Sequence, residues 1–308
     1  MKSNFFITFL LIILLSLTLP SSGFWSLLPK NFSTNRHLAS SLLYNYQHPL
    51  VPAMTAAVAP SVTAAGYLLI DNTTNKVLLS HRSDLKIHPA SLTKLATALT
   101  ALNIYPLDEV ISVNQEYTEC KVMGLKLNEK ITVKSLVEAL LVSSANDAAF
   151  TLAAHHPDGL DGFVVQMNFL AKSYRLNQTN FVNYDGIDQQ NHYSTIEDLG
   201  QLARIAIRNP IIASVAKTKQ LVVSDITGQI SHNLTSTNEL LGQIPEIEGL
   251  KTGWTPEAGG CFIGLINLNG HYLIAVVAQS PNRFTDTKNL VSWAKSNIIW
   301  QLYYLNGY

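Results

Sequence analysis

Charge is what this chain of 308 residues has least of. Asp, Glu, Lys and Arg make up 14% of it, against roughly 25% in an average domain. The 21 basic and 21 acidic residues leave no net charge. Such a chain offers no broad basic surface to nucleic acid, and it lacks the charge excess and hydrophobe poverty of a disordered segment. Cysteine is almost missing too. Cys120 and Cys261 stand far apart, without a CxxC or a Cys/His cluster, so no metal site is expected and no motif asks for a cofactor. The two thiols read as isolated and buried, with a single disulfide as the alternative. Beyond the N-terminus, no apolar run approaches the roughly 20 residues that cross a bilayer.

The N-terminus is different. Lys2 precedes the uncharged, mostly apolar run Phe5 to Leu19, and Pro20-Ser21-Ser22-Gly23 follows. This is a secretory pattern with a cleavage point after Gly23. Phe24, Trp25, Leu27 and Leu28 prolong the apolar stretch, so residues 1–23 read equally as a signal peptide or an uncleaved membrane anchor. Both place the working part outside the cytoplasm. Residues 24–60 show no period and end in VPAMTAAVAPSV; they read as a linker with little packed structure.

Regular patterns begin at Ala64. Gly66–Ile70 and Lys76–Ser80 flank the turn-rich Asp71–Asn75 and predict a β-hairpin. Pro89 suits the first turn of a helix through Leu102 that carries no charge after Lys94, which predicts burial on most sides. Thr132 is a candidate N-cap for a helix to Val142, and further helices are expected over 146–154, 162–174 and 195–208. Strands are expected over 249–255, 261–268 and 272–278, the last two joined by Asn269-Gly270, and a closing helix over 286–302. Strands at both ends with helices between them imply an α+β fold: one antiparallel sheet built from both chain ends and covered by helices.

Three short motifs could carry chemistry. In Ser91-Leu92-Thr93-Lys94, helical spacing sets hydroxyl and amine on one face with β-carbons about 5 to 6 Å apart. A serine hydroxyl needs a neighbouring base, and a lysine serves only if burial or nearby positive charge lowers its pKa. Ser-x-x-Lys also occurs at Ser83, Ser214 and Ser292, but only Ser91 opens a long uncharged helix. Ser144-Ala145-Asn146 lies between two apolar helical runs, where buried polar side chains need partners, by capping or by catalysis. Lys251-Thr252-Gly253 occurs once, on an expected strand, where a lysine and a hydroxyl could grip a carboxylate and a glycine lets a peptide approach.

In this order the motifs resemble the signature of the penicillin-recognising serine enzymes, and most closely the serine-type D-alanyl-D-alanine carboxypeptidases, the low-molecular-mass penicillin-binding proteins. The segments HPASLTKLATAL, LLVSSANDAA, HYSTIEDLGQLARIAI, GLKTGWTPEAGGCF and RFTDTKNLVSWA carry the likeness. It implies a β-lactamase/transpeptidase-like catalytic domain over 61–308, with an all-helical subdomain. It implies Ser91 as nucleophile, Lys94 as its base and Ser144 as proton relay. Asn146, Lys251, Thr252, Gly253 and Trp254 would bind substrate, the backbone N–H groups of Ser91 and Trp254 forming the oxyanion hole, with Arg283 as a second cation. The implied partners are a peptidoglycan stem peptide ending in D-Ala-D-Ala and β-lactams as covalent inhibitors. Asn183-Tyr-Asp-Gly-Ile-Asp188 departs from the His-Gly-Leu expected there. His155-His156 and the shortness of the chain also resemble the D,D-endopeptidase branch, which stays open beside a non-catalytic, membrane-tethered wall-binding module. A class A β-lactamase is disfavoured, since no Glu-x-x-x-Asn segment lies between the second and third motifs.

Overall fold

The computed structural model describes residues 50–55 and 58–302. The leader reading of residues 1–23 and most of the linker lie outside them. After β1 (Val51–Met54) come β2 (Gly66–Asp71) and β3 (Val77–His81), the expected hairpin, whose turn is tightened by Asp71 Oδ1 accepting from Thr74 N–H at 2.7 Å. β4 (Lys86–Ile87) leads through Pro89 into a 3-10 turn, Ala90–Thr93, and then α1 (Lys94–Ile104). β5 (Val110–Ser112) and β6 (Lys130–Thr132) bracket the loop 113–129. Three helices follow: α2 (Val133–Val142), α3 (Asn146–Ala154) and α4 (Gly159–Ser173). β7 (Ser194–Thr195) pairs with β4, and α5 (Ile196–Ala206), α6 (Pro210–Val215) and the hairpin β8 (Gln220–Ser224) with β9 (Ser231–Thr235) come next. β10 (Ile247–Thr255), β11 (Gly259–Leu268), β12 (His271–Ser280), α7 (Arg283–Asn297) and β13 (Ile298–Gln301) complete the described chain.

The main sheet is antiparallel, in the order β10-β11-β12-β2-β3, so strands from both chain ends meet in its middle. Its inner strands are continuous apolar runs because both faces are covered. Leu68, Ile70, Ile263, Leu265, Ile274 and Val276 join the large core that holds the helices before the sheet's C-terminal strands. The alternate residues Tyr67, Leu69, Phe262, Leu273, Ala275 and Val277 face Leu290, Val291 and Ala294 of α7. This period-2 division is what a pleated strand imposes. Thr132, Thr195 and Asn209 cap α2, α5 and α6 by accepting from N–H groups of the first turn.

The structure departs from the sequence expectations at four places. Ser91 sits in the 3-10 turn, one step before the α-helix, and Ala90 at the start of that turn takes a positive φ of 49°. Val51–Met54, inside the stretch expected to be a loosely packed linker, pairs antiparallel with Ile298–Gln301. The closing helix therefore ends at Asn297 and not at 302, since the last residues gain strand partners that a helix end would lack. Cys120 is exposed on the loop 113–129, while Cys261 is buried on β11, and the two are unpaired.

One buried carboxylate ties the sheet to α7. Asp286 is 1% exposed; its oxygens accept from Thr63 N–H at 2.8 Å, from Thr63 Oγ1 at 3.0 Å and from Ser280 Oγ at 2.6 Å. Asp286→Ala strands these donors and is expected to lower stability by about 2 to 4 kcal/mol, read as the shift of a denaturant unfolding curve at unchanged slope.

Candidate active site

The three motifs meet in one cleft of about 460 Å³, lined by Ser91, Ser144, Asn146, Thr252, Gly253 and Trp254, with Cys120, Lys121, Asp185, Thr237, Glu239 and Arg283 at its walls. Ser91 reaches it from the turn after Ala90, whose left-handed backbone is unusual for a residue with a side chain. Lys94, the first residue of α1, is wholly buried. Its Nζ lies 3.2 Å from Ser91 Oγ and donates to the Asp185 carbonyl oxygen at 2.6 Å. Burial pushes its pKa down to about 8, against the opposing pull of Asp185 and Cys120. Free base is thus available near neutrality, as general base chemistry requires.

Ser144 also has a positive φ, 63°. Its hydroxyl does not cap α3, whose N-cap is Ala145 without a side-chain bond. Instead it accepts from Lys251 Nζ at 2.8 Å. Asn146 opens α3; its backbone N–H donates to Lys121 O at 2.6 Å and its side chain lines the cleft. Lys251 is 1% exposed, and its Nζ also donates to Thr252 O at 3.1 Å. Burial, then Lys94, Lys121 and Arg283, hold its pKa well below the lysine range. Lys121 is shifted down as well, by burial and by Arg283. Four basic side chains around one cleft, faced by two acidic ones, form a site that favours an anion.

Two glycines permit the assembly. A Cβ on Gly253 would sit 3.2 Å from Ser91 N and 3.0 Å from Ala90 Cβ, so the bare backbone of β10 can close on the serine turn. Gly186, at φ +88°, approaches so near that a Cβ would fall 1.9 Å from Ala90 O. Trp254 follows on β10 and stays 63% exposed at the rim. Thr237 shares a 2.5 Å hydrogen bond with Thr252 across the hydroxyls, and Arg283 Nη1 donates to Gly253 O at 3.2 Å.

Comparison with known proteins gives the family. The family "D-alanyl-D-alanine carboxypeptidase" matches residues 53–282. The chain belongs to this D-alanyl-D-alanine carboxypeptidase family. It is a serine-type carboxypeptidase with the β-lactamase/transpeptidase-like fold. Among its relatives, a D-alanyl-D-alanine endopeptidase of Escherichia coli is 32% identical, covering 79% of this chain and 81% of the relative. The D-alanyl-D-alanine carboxypeptidase DacD of Salmonella typhimurium is 30% identical, covering 84% and 70%. The crystal structure of the Streptomyces K15 DD-transpeptidase superposes with a TM-score of 0.74 at 28% identity, covering 78% of this chain and all of that one.

Of the eight residues expected from the motifs, six line the cleft, and Lys94 and Lys251 lie behind it, bonded to Ser91 and Ser144. Sequence alone did not mark Thr237 or Lys121. Ser236-Thr237-Asn238 reads as a polar loop, and only the fold carries it to Thr252. His155 is elsewhere, bonded to Glu109 at 2.7 Å, and His156 accepts from Asp158 N–H, as helix-end residues do.

Asp147 holds the wall formed by the loop 113–129. Its carboxylate accepts from the N–H groups of Met123, Gly124 and Leu125 at 3.0, 2.8 and 3.1 Å. Asp147→Ala is expected to cost about 2 to 4 kcal/mol, because several buried donors lose a charged acceptor together. Hydrogen exchange should rise at Met123–Leu125 before it rises in the sheet.

Proposed function

We propose that these residues divide the carboxypeptidase reaction as follows. Ser91 Oγ attacks the carbonyl carbon between the two terminal D-alanines while its proton moves to the free amine of Lys94. The backbone N–H groups of Ser91 and Trp254 hold the developing oxyanion, typically about 3 to 4 kcal/mol per donor. Ser144, bridged to Lys251, relays a proton to the leaving amine; the C–N bond breaks and D-alanine departs. Lys251 and Thr252, with Thr237 and Arg283 beside them, bind its carboxylate, and Gly253 leaves room for the peptide. Asn146 holds the peptide backbone on the acyl side. Water then attacks the ester with Lys94 again as base, and Ser91 recovers its proton. The supporting observation is that two serine–lysine pairs, Ser91–Lys94 and Ser144–Lys251, meet at one cleft from segments far apart in the chain.

A D,D-endopeptidase is the second reading. Two relatives, of Escherichia coli and Pseudomonas aeruginosa, carry that name. A second, open hollow lies on the other side of Trp254, lined by Pro256, Glu257, Gly259, Gln279 and Pro281. Export, with residues 1–23 as signal or anchor and 61–308 as the catalytic domain, belongs to the same proposal. Action on peptidoglycan outside the cytoplasmic membrane requires it. Among the described residues no helix is long and apolar enough to cross a membrane.

Fluorescent penicillin is expected to label the protein covalently and stoichiometrically, and Ser91→Ala to abolish labelling while leaving the unfolding transition in place. The acylation rate of the parent should rise with pH through about 8, where Lys94 loses its proton; a rate flat from pH 6 to 9 contradicts Lys94 as base. Digestion of a stem pentapeptide and of a crosslinked dimer separates the two readings. Free D-alanine from the first marks a carboxypeptidase, and conversion of dimer to monomer marks an endopeptidase.

A further inference from the structure

Asp185 is a buried carboxylate to which the reaction above gives no task. It lies in the segment 183–188 that departs from the expected His-Gly-Leu, and only 3% of it is exposed. Its backbone and its side chain serve two different neighbours. The carbonyl oxygen accepts from Lys94 Nζ at 2.6 Å. The carboxylate accepts from Tyr117 hydroxyl at 3.1 Å and from Ile187 N–H at 3.2 Å. Tyr117 is itself fixed, stacked on Phe150 with ring centroids 5.3 Å apart. Gly186 locks the next residue against Ala90, and Asn183 Oδ1 accepts from Gly186 N–H at 2.8 Å. These bonds fix the carboxylate at the wall of the cleft, a few bonds from the atom that anchors the amine.

We propose that Asp185 is a positioning residue which, through its fixed negative charge, sets the pH at which Lys94 becomes the free base for Ser91. The inference rests on the serine-acylation reading above and deepens it. An opposite charge in a dry site favours the ammonium form, so Asp185 restrains the loss of the Lys94 proton that burial drives. The other groups whose charge acts on Lys94 are Cys120 and Lys121 on the loop 113–129. Lys94 in turn acts on Lys251 of β10 and on His192, just before β7. Among these, Asp185 is the charge of opposite sign with the largest effect on Lys94. Burial and the Asp185 charge also raise the pKa of Tyr117, which stays a neutral donor. A histidine at 185 would carry no such anion, so this chain should acylate with an acid limb displaced upward from its Asp185→His form.

The test is the pH dependence of second-order acylation by penicillin in the full chain, compared for the parent, D185N and D185H. The midpoint of the acid limb is expected to fall by about one pH unit or more in both variants. At pH 6 each variant should then keep about a tenfold larger share of its own plateau rate than the parent. A role confined to holding the loop would lower the rate without moving the limb. An unmoved or raised midpoint in either acylated variant overturns the proposal, and so does loss of acylation at every pH in both. A parent that takes no penicillin at any pH would instead refute the serine-acylation reading itself.

Discussion

A lysine amine kept dry, within reach of a serine hydroxyl, is the constraint that organises this molecule. Water would favour the ammonium form of Lys94. The fold removes that water by sinking the amine at the root of α1 and closing three other segments over it: the turn at Asp185, the strand carrying Lys251 and the loop pinned by Asp147. A buried amine still needs acceptors, and the Asp185 carbonyl supplies one.

The same demand explains where the backbone is unusual. Ala90 and Ser144 both take left-handed conformations, each in a site-bearing segment. Such positions cost of order 1 to 3 kcal/mol, and the deep cores on both faces of the sheet offset them. Gly186 and Gly253 solve the opposite problem, that of bringing two backbones closer than any side chain would allow. Strain and close approach thus converge on the turn before Ser91, which sets both its hydroxyl and its N–H beside β10 at the cleft.

Much of the architecture is legible in the residues. The hairpin β2–β3, the caps of α2 and α5, and the strands β10 to β12 follow from apolar runs, turn residues and capping hydroxyls within a few positions of one another. The errors share a cause. Val51–Met54 and Ile298–Gln301 become strands only because they meet each other across nearly the whole chain. Cys120 looks like an ordinary buried thiol until the loop 113–129 is seen to stand at the rim of the cleft. Thr237 has no local signal at all, and its meeting with Thr252 is a product of topology.

What the sequence by itself determined is the chemical inventory: a serine and a lysine one turn apart, a Ser-x-Asn between apolar helices, a lone Lys-Thr-Gly, and the family to which that order belongs. What only the tertiary structure decided is the state of those groups. Proton affinity depends on burial and on charges brought in from elsewhere, so neither the lowered pKa of Lys94 nor the carboxylate of Asp185 beside it can be read from spacing along a chain.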